Sequence, residues 1–139
     1  MSKVAVVYWT GSGNTEAMAA AVAEGAETKG ATVEQILAAD FSLSAAEEYN
    51  AYAFGCPAMG AEELEDSEFQ PMWDEVKGSL GDKKVVLFGS YGWGNGEWMG
   101  AWKEDAEEAG VNAIDSLIIN EQPDGDGIAV CQALGAQLA

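Results

Sequence analysis

Thr10-Gly11-Ser12-Gly13-Asn14-Thr15 places three hydroxyls, one carboxamide and two glycines in six residues. The stretch directly follows the apolar run Val4-Ala5-Val6-Val7-Tyr8-Trp9 and precedes an alanine-rich segment of helical pattern. Such a strand–loop–helix junction suits an anion, because glycines let the backbone come close and the helix start points N–H groups and a positive dipole end at the loop. No lysine or arginine lies in the loop, so dipoles alone would hold the charge. A P-loop needs Gly-x4-Gly-Lys-Ser/Thr, and no lysine follows either glycine. A dinucleotide fingerprint needs a third glycine two residues after Asn14, where Glu16 stands and would repel a pyrophosphate. A lone phosphate matches best. The competing reading of six bare residues is an ordinary polar turn capped by Asn14 or Thr15.

Two further loops are unusual. Gly55-Cys56-Pro57-Ala58-Met59-Gly60-Ala61-Glu62-Glu63 and Gly89-Ser90-Tyr91-Gly92-Trp93-Gly94-Asn95-Gly96 each set one large polarizable side chain, Met59 or Trp93, among small ones. Between Gly92 and Gly94 a tryptophan has no neighbours from which to build a core, so it reads as cover for a flat ligand, with gap filling as the alternative. Trp73, Trp98 and Trp102 fall at helical spacing and read as core instead.

The elements that must position these loops alternate along the chain. A helix is predicted from about Thr15 to Lys29, with Met18, Val22 and Ala26 on one face and Gly30 as its stop. Thr32 to Leu37 reads as a strand. Ser44 with Glu47 forms a capping box for a short helix, and Ala51 to Cys56 reads as a strand closed by Pro57. Ser67 with Gln70 forms another capping box, before a helix carrying Phe69, Met72, Trp73, Val76 and Leu80 and ended by Gly81. Lys84 to Ser90 is a buried-type strand, a helix reaches Ala109, Val111 to Asn120 is a fifth strand, and about Ile128 to Leu138 is a final helix. Strands alternating with helices predict an α/β fold: a doubly wound, five-stranded parallel sheet in the order 2-1-3-4-5, within a three-layer sandwich. The unusual loops follow strands 1, 3 and 4, at the carboxyl end where this strand order binds ligands.

Composition narrows the function. The 139 residues read as one domain, residues 1–139, long enough to bury about two-thirds of the unfolded surface. Twenty-four acidic residues against six lysines give a formal net charge of −18, which excludes nucleic-acid and membrane-surface roles and points to partners with basic patches. The absence of histidine removes Ser-His-Asp and Cys-His catalysis and most zinc sites. Cys56 and Cys131 are far apart and too few for an iron–sulfur cluster, and read as buried or partly buried thiols in a reducing compartment. The apolar run after Met1-Ser2-Lys3 is too short for a signal or a span, so a cytoplasmic location is expected.

The loop Thr10–Thr15, then Met59-Gly60 with the acidic stretch behind it, then Ser90-Tyr91-Gly92-Trp93-Gly94, in this order and spacing, closely resemble the short-chain flavodoxins over nearly the whole chain. The fifth strand also runs on without the insertion of long-chain members. The resemblance implies a low-potential, one-electron carrier that holds FMN non-covalently and cycles between neutral semiquinone and anionic hydroquinone. It implies a monomer without a substrate-transforming site of its own, and partners of the ferredoxin-type reductase and oxidoreductase kind with basic docking patches. Carried over, Thr10, Gly11, Ser12, Gly13, Asn14 and Thr15 would hold the phosphate, assisted by Ser90. Pro57, Ala58, Met59, Gly60, Ala61 and Glu62, with Tyr91, Gly92, Trp93 and Gly94, would surround the flavin. Met59 would cover the inner face and Trp93 the outer one, while Glu62 would accept the N3–H and amides near Gly92 and Trp93 would meet the pyrimidine oxygen. Ser12 stands where threonine is common, and Pro57 removes a donor where some relatives have serine.

The family's response to one-electron reduction is a peptide flip, here at Gly60-Ala61, whose new hydrogen bond is worth about 1–2 kcal/mol. Glu62, Glu63, Glu65, Asp66 and Glu68, each at about 12 Å, would oppose a further negative charge by roughly 0.3 kcal/mol apiece, or on the order of 1.5 kcal/mol together. An FMN-dependent quinone or azo-compound reductase is the alternative, and needs a nicotinamide site and room where Trp93 should lie. A response-regulator receiver shares the strand order, but needs an aspartate ending strand 3 and a lysine ending strand 5, where this chain has Cys56-Pro57 and Asn120.

Overall fold

The apolar runs become the inner strands of a parallel sheet. In the computed structural model, which describes residues 3–9, 11, 13–59, 63–92 and 96–139, β1 is Lys3–Tyr8, β2 Thr32–Leu37, β3 Ala51–Gly55, β4 Lys84–Tyr91 and β5 Asn112–Asn120. Their order is β2-β1-β3-β4-β5 and every pair is parallel, the doubly wound arrangement expected from the sequence. β1, β3 and β4 are covered on both faces, which is why they read as unbroken apolar runs.

Helices α1 (Asn14–Thr28), α2 (Leu43–Ala46), α3 (Phe69–Val76), α4 (Glu97–Glu108) and α5 (Gly125–Ala136) complete the layers. Side chains alternate across the strands. Val4, Val6, Ala53, Val86 and Phe88 pack with Met18 and Val22 of α1 and Cys131 and Leu134 of α5. Ala5, Val7, Phe54, Val85 and Leu87 face the other way, toward Phe69 and Trp73 of α3 and Trp98 and Trp102 of α4. The three helical tryptophans are therefore core. Trp102 meets Phe69 and Trp73 edge-on, with ring centroids 5.4 and 5.7 Å apart, and the Trp73 indole N–H donates to Asp105 at 2.7 Å.

Three helix starts differ from the sequence reading. Ser42, not Ser44, caps α2, its hydroxyl accepting the Ala45 N–H at 3.3 Å. The box expected from Ser67 and Gln70 does not form, because the Glu65 carboxylate takes the amides at the head of α3 and Gln70 reaches Asp74 instead. α5 begins earlier than expected, at Gly125, because Asp124 accepts the Gly127 N–H at 2.8 Å and starts the helix despite two glycines. Both cysteines are free and buried, as read; burial pushes the Cys56 thiol up to about 12 and the Cys131 thiol to about 11. Among the described residues no helix is long and apolar enough to cross a membrane, and no group of side chains is arranged to hold a metal.

Candidate functional site

The loops after β1, β3 and β4 meet at the carboxyl ends of the strands. Gly13 stands immediately before α1 with φ 94° and ψ −8°, a left-handed conformation that a side chain would strain, and the space beside its Cα is open. One step into the helix, Thr15 turns inward and is 1 % exposed. Its hydroxyl lies 3.0 Å from that of Ser90, at the end of β4, and accepts the Ser90 N–H at 3.4 Å. Residues 75 positions apart in sequence thus share one hydrogen-bonded junction.

The β3 loop is tied to the same junction. The Cys56 N–H donates to the Phe88 carbonyl and the Ala58 N–H to the Ser90 carbonyl, each at 3.0 Å, so β3 keeps its partner beyond the strand proper. The Trp98 indole donates to the Cys56 carbonyl at 3.2 Å. Farther along, Met59 and Glu63 form an antiparallel bridge, with the Met59 N–H on the Glu63 carbonyl at 3.0 Å. The Glu65 N–H then returns to the Cys56 sulfur at 3.4 Å.

Among the described residues of this loop, Glu65 is the one buried carboxylate. It accepts the amides of Ser67, Glu68 and Phe69 at 2.9, 2.8 and 2.8 Å, and the Ser67 hydroxyl. Burial opposes its ionisation, but these four donors prevail and hold its pKa below the ordinary glutamate value. Trp9, where the chain leaves β1, donates its backbone N–H to the Gly55 carbonyl at 3.0 Å and its indole N–H to Glu68 at 2.9 Å. The Tyr91 carbonyl accepts from the Glu121 amide at 2.7 Å and the Asn120 side chain at 3.2 Å, fixing the end of β4 to that of β5.

The structure thus brings together Gly13, Asn14, Thr15, Pro57, Ala58, Met59, Ser90 and Tyr91, with Gly11 and Gly92 exposed at the rim. Thr10, Ser12, Gly60, Ala61, Glu62, Trp93 and Gly94 lie outside the described residues. Sequence reasoning missed the ties made by Trp9, Glu65 and Glu68. Glu65 stands two to four residues before the amides it binds, where the serine two places on was the more familiar signal. The cradle offers hydroxyls, a helix N-terminus and turn amides, and no lysine or arginine in the three loops. Such a donor set suits a phosphate monoester beside a planar ring system, with no cation to spare for a pyrophosphate.

Fold and cradle together define a doubly wound α/β protein that binds a mononucleotide-type ligand where the winding of the sheet reverses. The family model described as Flavodoxin matches residues 6–133. The chain is 45 % identical over 136 residues to a flavodoxin of Megasphaera elsdenii, covering 98 % of both chains. It is 41 % identical over 120 residues to a flavodoxin of Clostridium beijerinckii, covering 86 % of this chain and 87 % of that one. A solved flavodoxin structure from the domain Archaea superposes with a TM-score of 0.89 at 32 % identity, covering 99 % of this chain and 96 % of the other. The chain belongs to the flavodoxin family, the FMN-binding electron-transfer proteins.

Proposed function

We propose that the chain acts as a single FMN-binding unit over residues 1–139, a low-potential carrier that passes one electron at a time and has no substrate-transforming site of its own. The observation that carries this reading is the Thr15–Ser90 junction, which joins the start of α1 to the end of β4 beside the β3 loop. FMN supplies, when bound, a ring that accepts electrons singly or in pairs. The protein supplies the setting. Gly11, Gly13, Asn14 and Thr15, with Thr10, Ser12 and the Ser90 hydroxyl, hold the phosphate by hydrogen bonds and the α1 dipole, each dipole contact being worth about 0.3–1 kcal/mol. Met59 and Trp93 cover the two ring faces and keep water off them, Glu62 orients the pyrimidine end, and Pro57, Ala58, Gly60, Ala61, Tyr91, Gly92 and Gly94 line the remaining edge. The Met59–Glu63 bridge holds together the two described residues that flank Gly60, Ala61 and Glu62 in sequence.

The acidic surface, with a net charge of −18, favours monomers and partners that present basic patches, such as reductases and oxidoreductases of the ferredoxin type, in the cytoplasm. The test is an anaerobic reductive titration of the FMN-loaded protein followed by visible absorbance. A blue, one-electron-reduced form that accumulates before full bleaching is the expected result. Direct two-electron bleaching, together with turnover of NAD(P)H and a quinone, would instead favour a reductase.

A further inference from the structure

We propose that Glu65 is the positioning residue for the β3 loop in the FMN-binding unit, its buried carboxylate and its own amide pinning the far end of that loop to α3 and to the end of β3 at once. The inference rests on the FMN reading above. Six hydrogen bonds converge on this one residue. Its carboxylate accepts three amides and a hydroxyl from Ser67, Glu68 and Phe69, its carbonyl accepts the Gln70 N–H at 2.8 Å, and its N–H donates to the Cys56 sulfur. Its charge is met by amides and a hydroxyl rather than by a cation, so the interaction is directional and fixes backbone position, which a long, mobile lysine would not.

Both anchors are rigid. Cys56 is held by Phe88 of β4 and by the Trp98 indole, and α3 is held in the core by Phe69 and Trp73. Between them the Met59–Glu63 bridge and the buried Leu64 tie the described residues of the loop together. An ordinary helix cap would need Ser67 alone. The carboxylate reaches farther, and in doing so sets where Glu63 stands opposite Met59.

The experiment compares E65Q and E65D in the full chain, by FMN titration of the apoprotein with fluorescence quenching and by amide hydrogen exchange. Positioning and charge give opposite signs. Removing a negative charge near an anionic ligand should tighten binding, whereas loosening the β3 loop should weaken it. The expected result is an FMN Kd at least tenfold higher in E65Q, equivalent to about 1.4 kcal/mol, with a change in the same direction in E65D, which keeps the charge on a stem one methylene shorter. In the apoproteins, exchange should rise at residues 63–69 while α1 and α5 stay protected. Tighter or unchanged binding in E65Q, or an effect in E65Q with E65D like wild type, would overturn the inference. So would protection lost evenly along the chain, which marks Glu65 as structural only. Wild-type protein that fails to hold FMN would overturn the cofactor reading itself; wild-type binding with unaltered E65Q affinity overturns this inference alone.

Discussion

Gly25→Ala and Gly135→Ala probe the contact between α1 and α5, on which the direction of the α1 N-terminus depends. A Cβ at Gly25 would lie 1.9 Å from the Gln132 carbonyl oxygen, and one at Gly135 would lie 1.8 Å from that of Val22. Ordinary van der Waals contact begins at 3.4 Å, so the helices must separate by about 1.5 Å, and the obstacle is backbone that has no rotamer to change. Helix propensity alone argues the reverse, since alanine is favoured over glycine in a helix interior by about 0.8–1.0 kcal/mol. Overpacking costs about 1–3 kcal/mol for side chains that yield, and an unyielding carbonyl places this case at or above the upper end. The net expectation is a loss of about 2 kcal/mol, or a Tm lower by roughly 6–10 °C for a chain of this size. Gly100→Ala in α4 is the control, because a Cβ there meets nothing within 4 Å; it should stabilise by about 0.5–1 kcal/mol. Thermal and urea unfolding of the three apoproteins, read by circular dichroism, decide the matter. A Gly25→Ala protein as stable as wild type or more so would refute backbone contact between the helices, and an effect of the same sign in Gly100→Ala would refute the reasoning from space.

The Thr15–Ser90 hydroxyl pair should behave as one unit: Thr15→Val leaves buried Ser90 donors without their acceptor and costs about 1–3 kcal/mol in urea unfolding, while adding Ser90→Ala costs little more. Strictly additive losses would show that the two hydroxyls do not share a bond. Glu65 and Asp105 both have folded pKa values below their ordinary ones, Asp105 because Lys77 and the Trp73 indole outweigh its burial. Their contribution to stability is therefore complete above the ordinary carboxyl range and is lost as pH falls through the lowered folded values, and Glu65→Gln should flatten part of that acid limb in a pH series of urea unfolding. FMN binding should tighten several-fold between about 0.01 and 0.1 M salt, because the long-range repulsion from a chain of net charge −18 is screened as the Debye length shrinks from about 30 to 10 Å, while contacts to amides and hydroxyls are not. Weakening with salt would mean that a lysine pairs with the phosphate.

The layers were legible because burial on both faces leaves its mark in composition: β1, β3 and β4 are continuous apolar runs, and Phe69, Met72, Trp73 and Val76 repeat at the helical period and are all buried. Helix starts were less legible, since Ser42 and Ser44, or Glu65 and Ser67, are locally equivalent signals. Packing chooses between them. Leu43 enters α2 with its N–H on Glu75 of α3, and the chain enters α3 from a loop already held by Cys56. Gly25 and Gly135 look like weak points in their helices, and their value lies entirely in a neighbour more than a hundred residues away. The site was legible as three loops of odd composition, each with its own local logic. Its joining was not, because the Thr15–Ser90 and Trp9–Glu68 bonds link segments whose residue types carry no mark of each other.

The acidic run after Met59 shows what such joining changes. Read from the sequence, Glu62, Glu63, Glu65, Asp66 and Glu68 are equal charges on a solvated approach to α3. In the fold Glu65 is buried among amides, Glu68 accepts the Trp9 indole, and Glu63 and Asp66 face water. Salt screens exposed charges beyond about one Debye length, and screens a buried one much less. On the proposed reading, the opposition of these carboxylates to added negative charge on FMN would therefore be unequal: the share from Glu63 and Asp66 would fade with ionic strength, and the share from Glu65 would persist. On the proposed reading, whatever these carboxylates add to a low second potential would rest partly on the packing of the β3 loop, because Glu65 is the charge that solvent does least to hide.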